Sequence, residues 1–135
     1  IKNKLQSSDV VKIGIFGKTL YDSYISLKEA IEHAGIEAKI SIKMVWLDEF
    51  VPLKKEISLK EIDGVIIAEG LNSINEKLEI IKCAREKNIP LLAISFGADL
   101  MIKEFCENVL KIKTSVNEIE GPSEYNIIKS QFFLT

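Results

Sequence analysis

Short apolar runs that alternate with helical stretches restrict the folds available to this chain. Such runs occupy residues 10–17, 63–70 and 89–95, and each one ends at a Gly or a Ser. Because they are largely apolar, they predict strands that are buried on both faces. Strands of this kind, separated by helices, indicate a parallel sheet that is covered on both sides.

The segments between the strands carry apolar residues at helical spacing. A first helix is predicted over 21–34 and is expected to end at Gly35, and a second is predicted over 73–87. A third is predicted over 97–109, with its inward face formed by Leu100, Met101, Phe105 and Val109.

Further strands complete the predicted architecture. Residues 38–48 alternate apolar and polar side chains, and residues 110–115 and the tail 125–135 are additional strand candidates. The predicted fold class is therefore α/β, with a doubly wound, mostly parallel sheet and helices on both faces. In such sheets ligands bind at the carboxyl ends of the strands.

Composition excludes several classes of function. The 18 basic and 20 acidic residues give a net charge of -2, and no aromatic platform is interleaved with Lys or Arg, so nucleic acid is not an expected partner. No apolar run approaches the roughly 20 residues of a membrane helix, and we expect a cytoplasmic protein with no membrane contact. One His and two Cys offer no metal-ligand cluster, and we expect neither a metal nor another cofactor.

Ser95 is the candidate nucleophile that the sequence indicates most clearly. The stretch "IPLLAISFGAD" (89–99) predicts a strand, a sharp turn at Ser95-Phe96-Gly97 and then a helix. A strand that turns directly into a helix exposes the nucleophile in several hydrolase families. An activated serine also needs a base, normally His, and the single histidine, His33, is predicted on the surface of the first helix, away from the strand ends.

Several stretches together resemble the glutamine amidotransferase domain of CTP synthase, a class I, triad-type amidotransferase family with a flavodoxin-like three-layer fold. The resemblance covers roughly Val10 to Pro122. It rests on "VKIGIFGK", "DSYISLKEAIEHAG", "IDGVIIAEG", the nucleophile segment "CAREKNIPLLAISFGADLMIKEFCENVL" and, with a weaker match, "NEIEGP".

The resemblance implies a mechanism in which an elbow Cys attacks the carboxamide of glutamine. A His-Glu pair activates that Cys, and the ammonia passes to a synthetase domain that aminates UTP to CTP with ATP, in pyrimidine nucleotide biosynthesis. Carried over to this sequence, the nucleophile position is Ser95, and the oxyanion donors are the N–H groups of Gly70 and Phe96. The glutamine-binding positions are Gly70, Asp99 and Glu118.

The chain departs from the family pattern at several of these positions. The elbow Cys is Ser95, the Pro-Gly-Gly-Phe-Gly of the oxyanion strand reads "AEGLN" (68–72), and a glutamine-contacting Gln is Asp99. The segment that carries the catalytic His and Glu is absent from these residues. We expect residues 1–9 to be a linker or an N-terminal arm, and residues 10–135 to be a single amidotransferase-like α/β domain that lacks the His-Glu segment and has no glutaminase activity of its own.

Three functional hypotheses follow from this pattern. The first is a degenerate domain that binds or assembles, with a CTP-synthase-like synthetase domain or a homo-oligomer as its partner. The alternative is a fragment of a functional CTP synthase, or a serine hydrolase of the related fold. The third is a small-molecule sensor that uses a remnant pocket around Gly70, Ser95 and Asp99.

Overall fold

The computed structural model describes residues 10–16, 24–47, 59, 61–68 and 73–114. The described strands and helices follow one another in the order that the sequence pattern predicts. The elements are β1 (Val10–Phe16), α1 (Ile25–Ala38), β2 (Ser41–Leu47), β3 (Gly64–Ile67), α2 (Ile74–Glu86), β4 (Leu91–Ala93) and α3 (Phe96–Phe105), which continues into a π-helical turn (Cys106–Leu110).

The four described strands form one parallel sheet in the order β2-β1-β3-β4. Ile15 in β1 lies opposite both Trp46 and Ile66, and Ile67 in β3 lies opposite both Phe16 and Ala93. Since all four strands point the same way, their carboxyl ends lie along one edge of the sheet. The prediction of a parallel α/β fold is confirmed.

Each face of the sheet carries its own apolar core. Alternate side chains of one strand point to opposite faces, so Ile66 packs with Ile15 and with Ile31 of α1. The other face packs against α2 and α3, and its buried cluster is Phe16, Leu47, Leu59, Ile62, Val65, Ile67, Ile80, Ile81, Phe96 and Leu100. Helices therefore cover both faces, as the doubly wound prediction requires.

The end of α1 differs from the prediction. The helix does not end at Gly35 but continues to Ala38, where Lys39 adopts a left-handed conformation at φ 55°. The N–H groups of Lys39 and Ile40 donate to the carbonyls of Ile36 and Gly35, at 3.1 and 3.0 Å, which is a Schellman ending. Gly35 packs closely against β2, because a Cβ there would lie 3.0 Å from Cδ1 and 3.1 Å from Cγ1 of Ile42, so that this side chain would have to shift slightly.

The orientation of α3 also differs from the prediction. Leu100 is fully buried, but Met101, Phe105 and Val109 are 40–45% exposed. The inward side of the helix instead carries Lys103 and Glu104, which are buried through polar contacts.

The strand predicted over 110–115 is absent from its described part, since residues 111–114 form no regular element. The tail 125–135 and the predicted linker 1–9 lie outside the described residues.

None of the helices in the described part of the chain combines the length and apolar character that a membrane crossing requires.

The orientation of α3 predicts unequal effects of two neighbouring truncations. Leu100→Ala removes a fully buried side chain and should lower the free energy of unfolding by about 3 kcal/mol. Met101→Ala truncates a side chain that is 40% exposed and should cost less than about 1 kcal/mol. Urea unfolding of both variants measures the difference, and equal losses would contradict the observed orientation.

Candidate functional site

The turn between β4 and α3 has the geometry of a nucleophile elbow. Ser95 stands between the two elements with φ 53° and ψ -123°, a conformation that is strained for any residue except glycine. The turn is closed on both sides: the N–H of Gly97 donates to the carbonyl of Ile94 at 3.0 Å, and the N–H of Ala98 donates to the carbonyl of Ser95 at 2.8 Å. The predicted sharp turn at residues 95–97 is therefore present.

Gly97 allows α3 to begin directly against β3. A Cβ on Gly97 would lie 2.9 Å from the carbonyl oxygen of Ile67 and 3.0 Å from its Cγ2. The same carbonyl oxygen accepts the N–H of Ile94 at 3.0 Å, so it is fixed in place and cannot move aside. This close contact holds the elbow at the carboxyl edge of the sheet.

Ser95 is exposed at the N-terminal end of α3. Its side chain is exposed and makes no capping hydrogen bond to α3. Phe96 is the first residue of α3, where a helix leaves N–H groups without intrahelical acceptors. The phenyl ring of Phe96 is buried in the core, which fixes the direction of its backbone. The elbow thus presents a hydroxyl beside an N–H donor at a helix N-terminus.

Asp99 lies in the first turns of the same helix and is half-buried. A carboxylate near a helix N-terminus is stabilised by the helix dipole, which is sufficient reason for an acid at this position. Of the positions that the family resemblance assigns to the site, the structure places Ser95, Phe96 and Asp99 together at the start of α3. Gly70 and Glu118 lie outside the described residues, and the roles of all five positions stay predictions.

The sheet separates His33 from the elbow. His33 is exposed and belongs to α1, which packs on the face opposite to α3. It also lies in the second half of α1, whereas Ser95 lies at the carboxyl edge of the sheet, from which α1 runs away. Since His33 is the one histidine among the 135 residues, no imidazole of this chain serves Ser95.

Sequence reasoning missed the ion pair that holds α3 against α2. Arg85 donates from Nη2 to Oε1 of Glu104 at 2.7 Å and from Nε to Oε2 at 2.9 Å. Glu104 is buried, and the hydrogen bond to its carboxylate raises the pKa of the Arg85 guanidinium above its usual value. No local pattern could have found this pair, because its members are 19 residues apart and lie on different helices.

Two further contacts fix the far end of α3. Lys103 is buried and donates from Nζ to Oε1 of Glu107 at 3.0 Å and to the carbonyl of Thr114 at 2.9 Å. The helix that carries the elbow is therefore anchored by charged groups along its inward side.

Among the described residues, no group of three or more His, Cys, Asp or Glu side chains could hold a metal ion.

The sequence profile described as Glutamine amidotransferase class-I matches residues 19–127. The chain belongs to this family. It is similar to the CTP synthase of Sulfolobus acidocaldarius, with 38% identity over 95% of this chain and 26% of that protein. It is also similar to the CTP synthase of Pyrococcus furiosus, with 36% identity over 90% of this chain and 24% of that protein. The chain thus spans about a quarter of the length of these curated relatives.

A solved structure supports the same class I amidotransferase fold. The glutaminase domain of Trypanosoma brucei CTPS with bound acivicin superposes with a TM-score of 0.73 and is 24% identical. The match covers 85% of this chain and 48% of that one. At this level of identity the likeness establishes the fold, and the family assignment rests on the sequence matches.

The strained turn predicts an unusual order of stabilities at position 95. Ser95→Gly relieves the positive φ, whereas Ser95→Ala keeps it, so the glycine variant should be more stable by about 1 kcal/mol. Ala30→Gly, at an exposed position inside α1, is the matched control and should lose about 1 kcal/mol. Denaturant midpoints measure both effects. An alanine variant as stable as the glycine variant would show that Ser95 is not strained.

Proposed function

We propose that this chain is a CTP-synthase-type glutamine amidotransferase domain that binds or assembles instead of hydrolysing glutamine. In this proposal Ser95 occupies the position of the nucleophile and is inactive. The supporting observation is an elbow built for an exposed nucleophile that holds a serine, with the single histidine of the chain on the opposite face of the sheet. A hydroxyl without a base stays protonated at neutral pH and is a poor nucleophile.

The surroundings of Ser95 are, on this proposal, the remnant of a glutamine pocket. Phe96 and Gly70 are the proposed oxyanion donors, and Asp99 and Glu118 are the proposed remnants of glutamine contacts. The family has a neutral amide where this chain has Asp99. A carboxylate there changes the charge of the pocket close to the elbow and weakens its match to the neutral carboxamide of glutamine.

The proposed partner is a synthetase domain like that of CTP synthase. The relatives that share 36–38% identity are about four times as long as the matched region, so in them this domain is one part of a larger protein.

The two cysteines, Cys83 and Cys106, are free thiols in the structure. Free thiols are typical of a reducing compartment, which supports a cytoplasmic location.

A second candidate function is glutamine-dependent amination of UTP to CTP by a longer polypeptide that contains this domain. The intact backbone of the elbow favours it, because Ser95 keeps the strained conformation of a working nucleophile position. In that case the base would come from residues outside this chain. A serine hydrolase of the related fold makes the same demand, since it also needs a base beside Ser95.

The first test of the proposal is glutaminase activity. The chain should release no ammonia from glutamine above a buffer blank, because loss of a triad member typically costs several orders of magnitude in rate. Ser95→Ala is the matched control, and the two proteins should be indistinguishable. Ammonia release by the chain that Ser95→Ala abolishes would overturn the proposal that this domain is inactive, and it would show that the chain itself contains a base for Ser95.

Restoring a thiol should not restore turnover. At pH 7 a free Cys is only a few per cent thiolate, and the one histidine of the chain, His33, lies on the other face of the sheet, too far away to protonate the leaving ammonia. In Ser95→Cys the charge of Asp99 would raise the pKa of the new thiol, while the N-terminus of α3 would lower it. We expect slow labelling by a glutamine-analogue alkylator, without protection by glutamine and without ammonia. Fast labelling that glutamine blocks, together with turnover, would show an intact pocket and a base.

A further inference from the structure

Lys77 is the largest fully buried side chain in the described part of the chain and is only 1% exposed. It belongs to the buried side of α2, together with Ile80, Ile81 and Ala84, which recur at helical spacing. Burying an ammonium group costs free energy because the charge loses its hydration, and lysine is almost never fully buried without a partner. A leucine at this position would continue the apolar side of α2 without that cost, so packing alone does not explain Lys77.

The buried side of α2 faces the helix that carries the elbow. Ile80 and Ile81 belong to the same core cluster as Phe96 and Leu100 of α3. Since α2 follows β3 and α3 follows β4, both helices start from the carboxyl edge of the sheet and run roughly parallel. Lys77 therefore continues the core-facing side of α2 toward the edge at which the elbow lies.

The Arg85–Glu104 ion pair fixes how far the two helices are offset along their axes. Its two side chains meet at 2.7 Å. Eight residues before this pair, about 12 Å back along each helix, stand Lys77 on α2 and Phe96 on α3. Because axes of packed helices are about 8–10 Å apart, Lys77 is roughly level with the start of α3 and one helix spacing away, directly beside the turn at Ser95.

Lys77 is also the single basic residue in the first two turns of α2 and α3. The acidic residues of the same turns are Glu76, Glu79 and Asp99, of which Glu79 is exposed and the other two are half-buried. The strands on which these helices pack, β3 and β4, have no ionisable side chain. Since buried charges are screened less than exposed ones, Lys77 is the least screened charge of these turns.

We propose that Lys77 is the electrostatic support of the elbow, and that its ammonium and the N-terminus of α3 together stabilise negative charge on a group at position 95. Cysteines at helix N-termini or next to lysine ionise more readily for the same reason. Lys77 touches no ligand in this role and acts only through its charge. The role goes beyond the proposed function, because it holds whether or not the domain hydrolyses glutamine.

The pKa of a thiol at position 95 measures this charge effect. In the full chain with Ser95→Cys, the pH dependence of iodoacetamide labelling gives that pKa, and peptide masses separate the label at position 95 from labels at Cys83 and Cys106. Adding Lys77→Met should raise the pKa by roughly 0.3–1.2 units, the effect of one unit charge about 10 Å away for effective dielectric constants between about 80 and 20. Lys77→Arg keeps the charge and should keep the pKa of the parent.

Lys103→Met is the matched control, since it also neutralises a buried lysine, 8% exposed, but at the far end of α3. The Nζ of Lys103 lies 3.0 Å from Oε1 of Glu107, whose charge offsets it at longer range. This variant should shift the thiol pKa clearly less than Lys77→Met. Thermal unfolding checks that each variant folds, and Lys77→Gln, which keeps a hydrogen-bond donor without the charge, applies the same test if Lys77→Met does not fold.

Three results would overturn the proposal. The first is a thiol pKa that neutralising Lys77 leaves unchanged. The second is an equal rise in Lys103→Met, which would show that the effect is not local. The third is a rise in Lys77→Arg as large as in Lys77→Met, which would show that the shape of the side chain matters and its charge does not. Labelling is measured without glutamine, so failure here is distinguishable from failure of the proposed function.

Discussion

The close approach of α3 to β3 at Gly97 is the constraint on which the elbow depends. A side chain at this position would reach within 2.9 Å of the Ile67 carbonyl oxygen, which is already fixed by the N–H of Ile94. To begin α3 at this distance, the chain must reverse direction within the two residues between β4 and α3, Ile94 and Ser95. Ser95 makes this turn with a positive φ. The strain at Ser95 is thus a consequence of packing in the centre of the fold.

Because this strain comes from packing, the backbone shape of the elbow does not depend on the groups that would carry out catalysis. The same packing that exposes a nucleophile also buries Phe96 and Leu100 in the core, and the Arg85–Glu104 pair holds the helix in place further along. Losing the thiol and its base would remove catalysis without disturbing any of these contacts. A class I amidotransferase domain can therefore keep an intact elbow after its glutaminase function has ended, which is the history that we propose for this chain.

Local signals in the sequence predicted the order of strands and helices and the turn at Ser95, because each depends on residues close together in the chain. The end of α1 could not be predicted in this way, since Gly35 serves the contact with Ile42 rather than a helix stop. The predicted orientation of α3 was wrong because Glu104 is buried against Arg85, which lies 19 residues away on another helix. At the candidate site, Ser95, Phe96 and Asp99 lie together at the start of α3 because they are close in sequence, Gly70 and Glu118 lie outside the described residues, and the roles of all five stay predictions.

The central claim is that packing, and not catalysis, maintains the elbow, and the stability of Gly97→Ala tests it most directly. At an open helical position alanine would add about 1 kcal/mol of stability, so the expected loss of about 2 kcal/mol has the opposite sign. Gly64→Ala is the control, because its nearest contact is the flexible Cδ1 of Ile13 at 3.2 Å, and it should lose less than Gly97→Ala. Urea unfolding measures both. A Gly97→Ala protein as stable as the parent chain would contradict the claim.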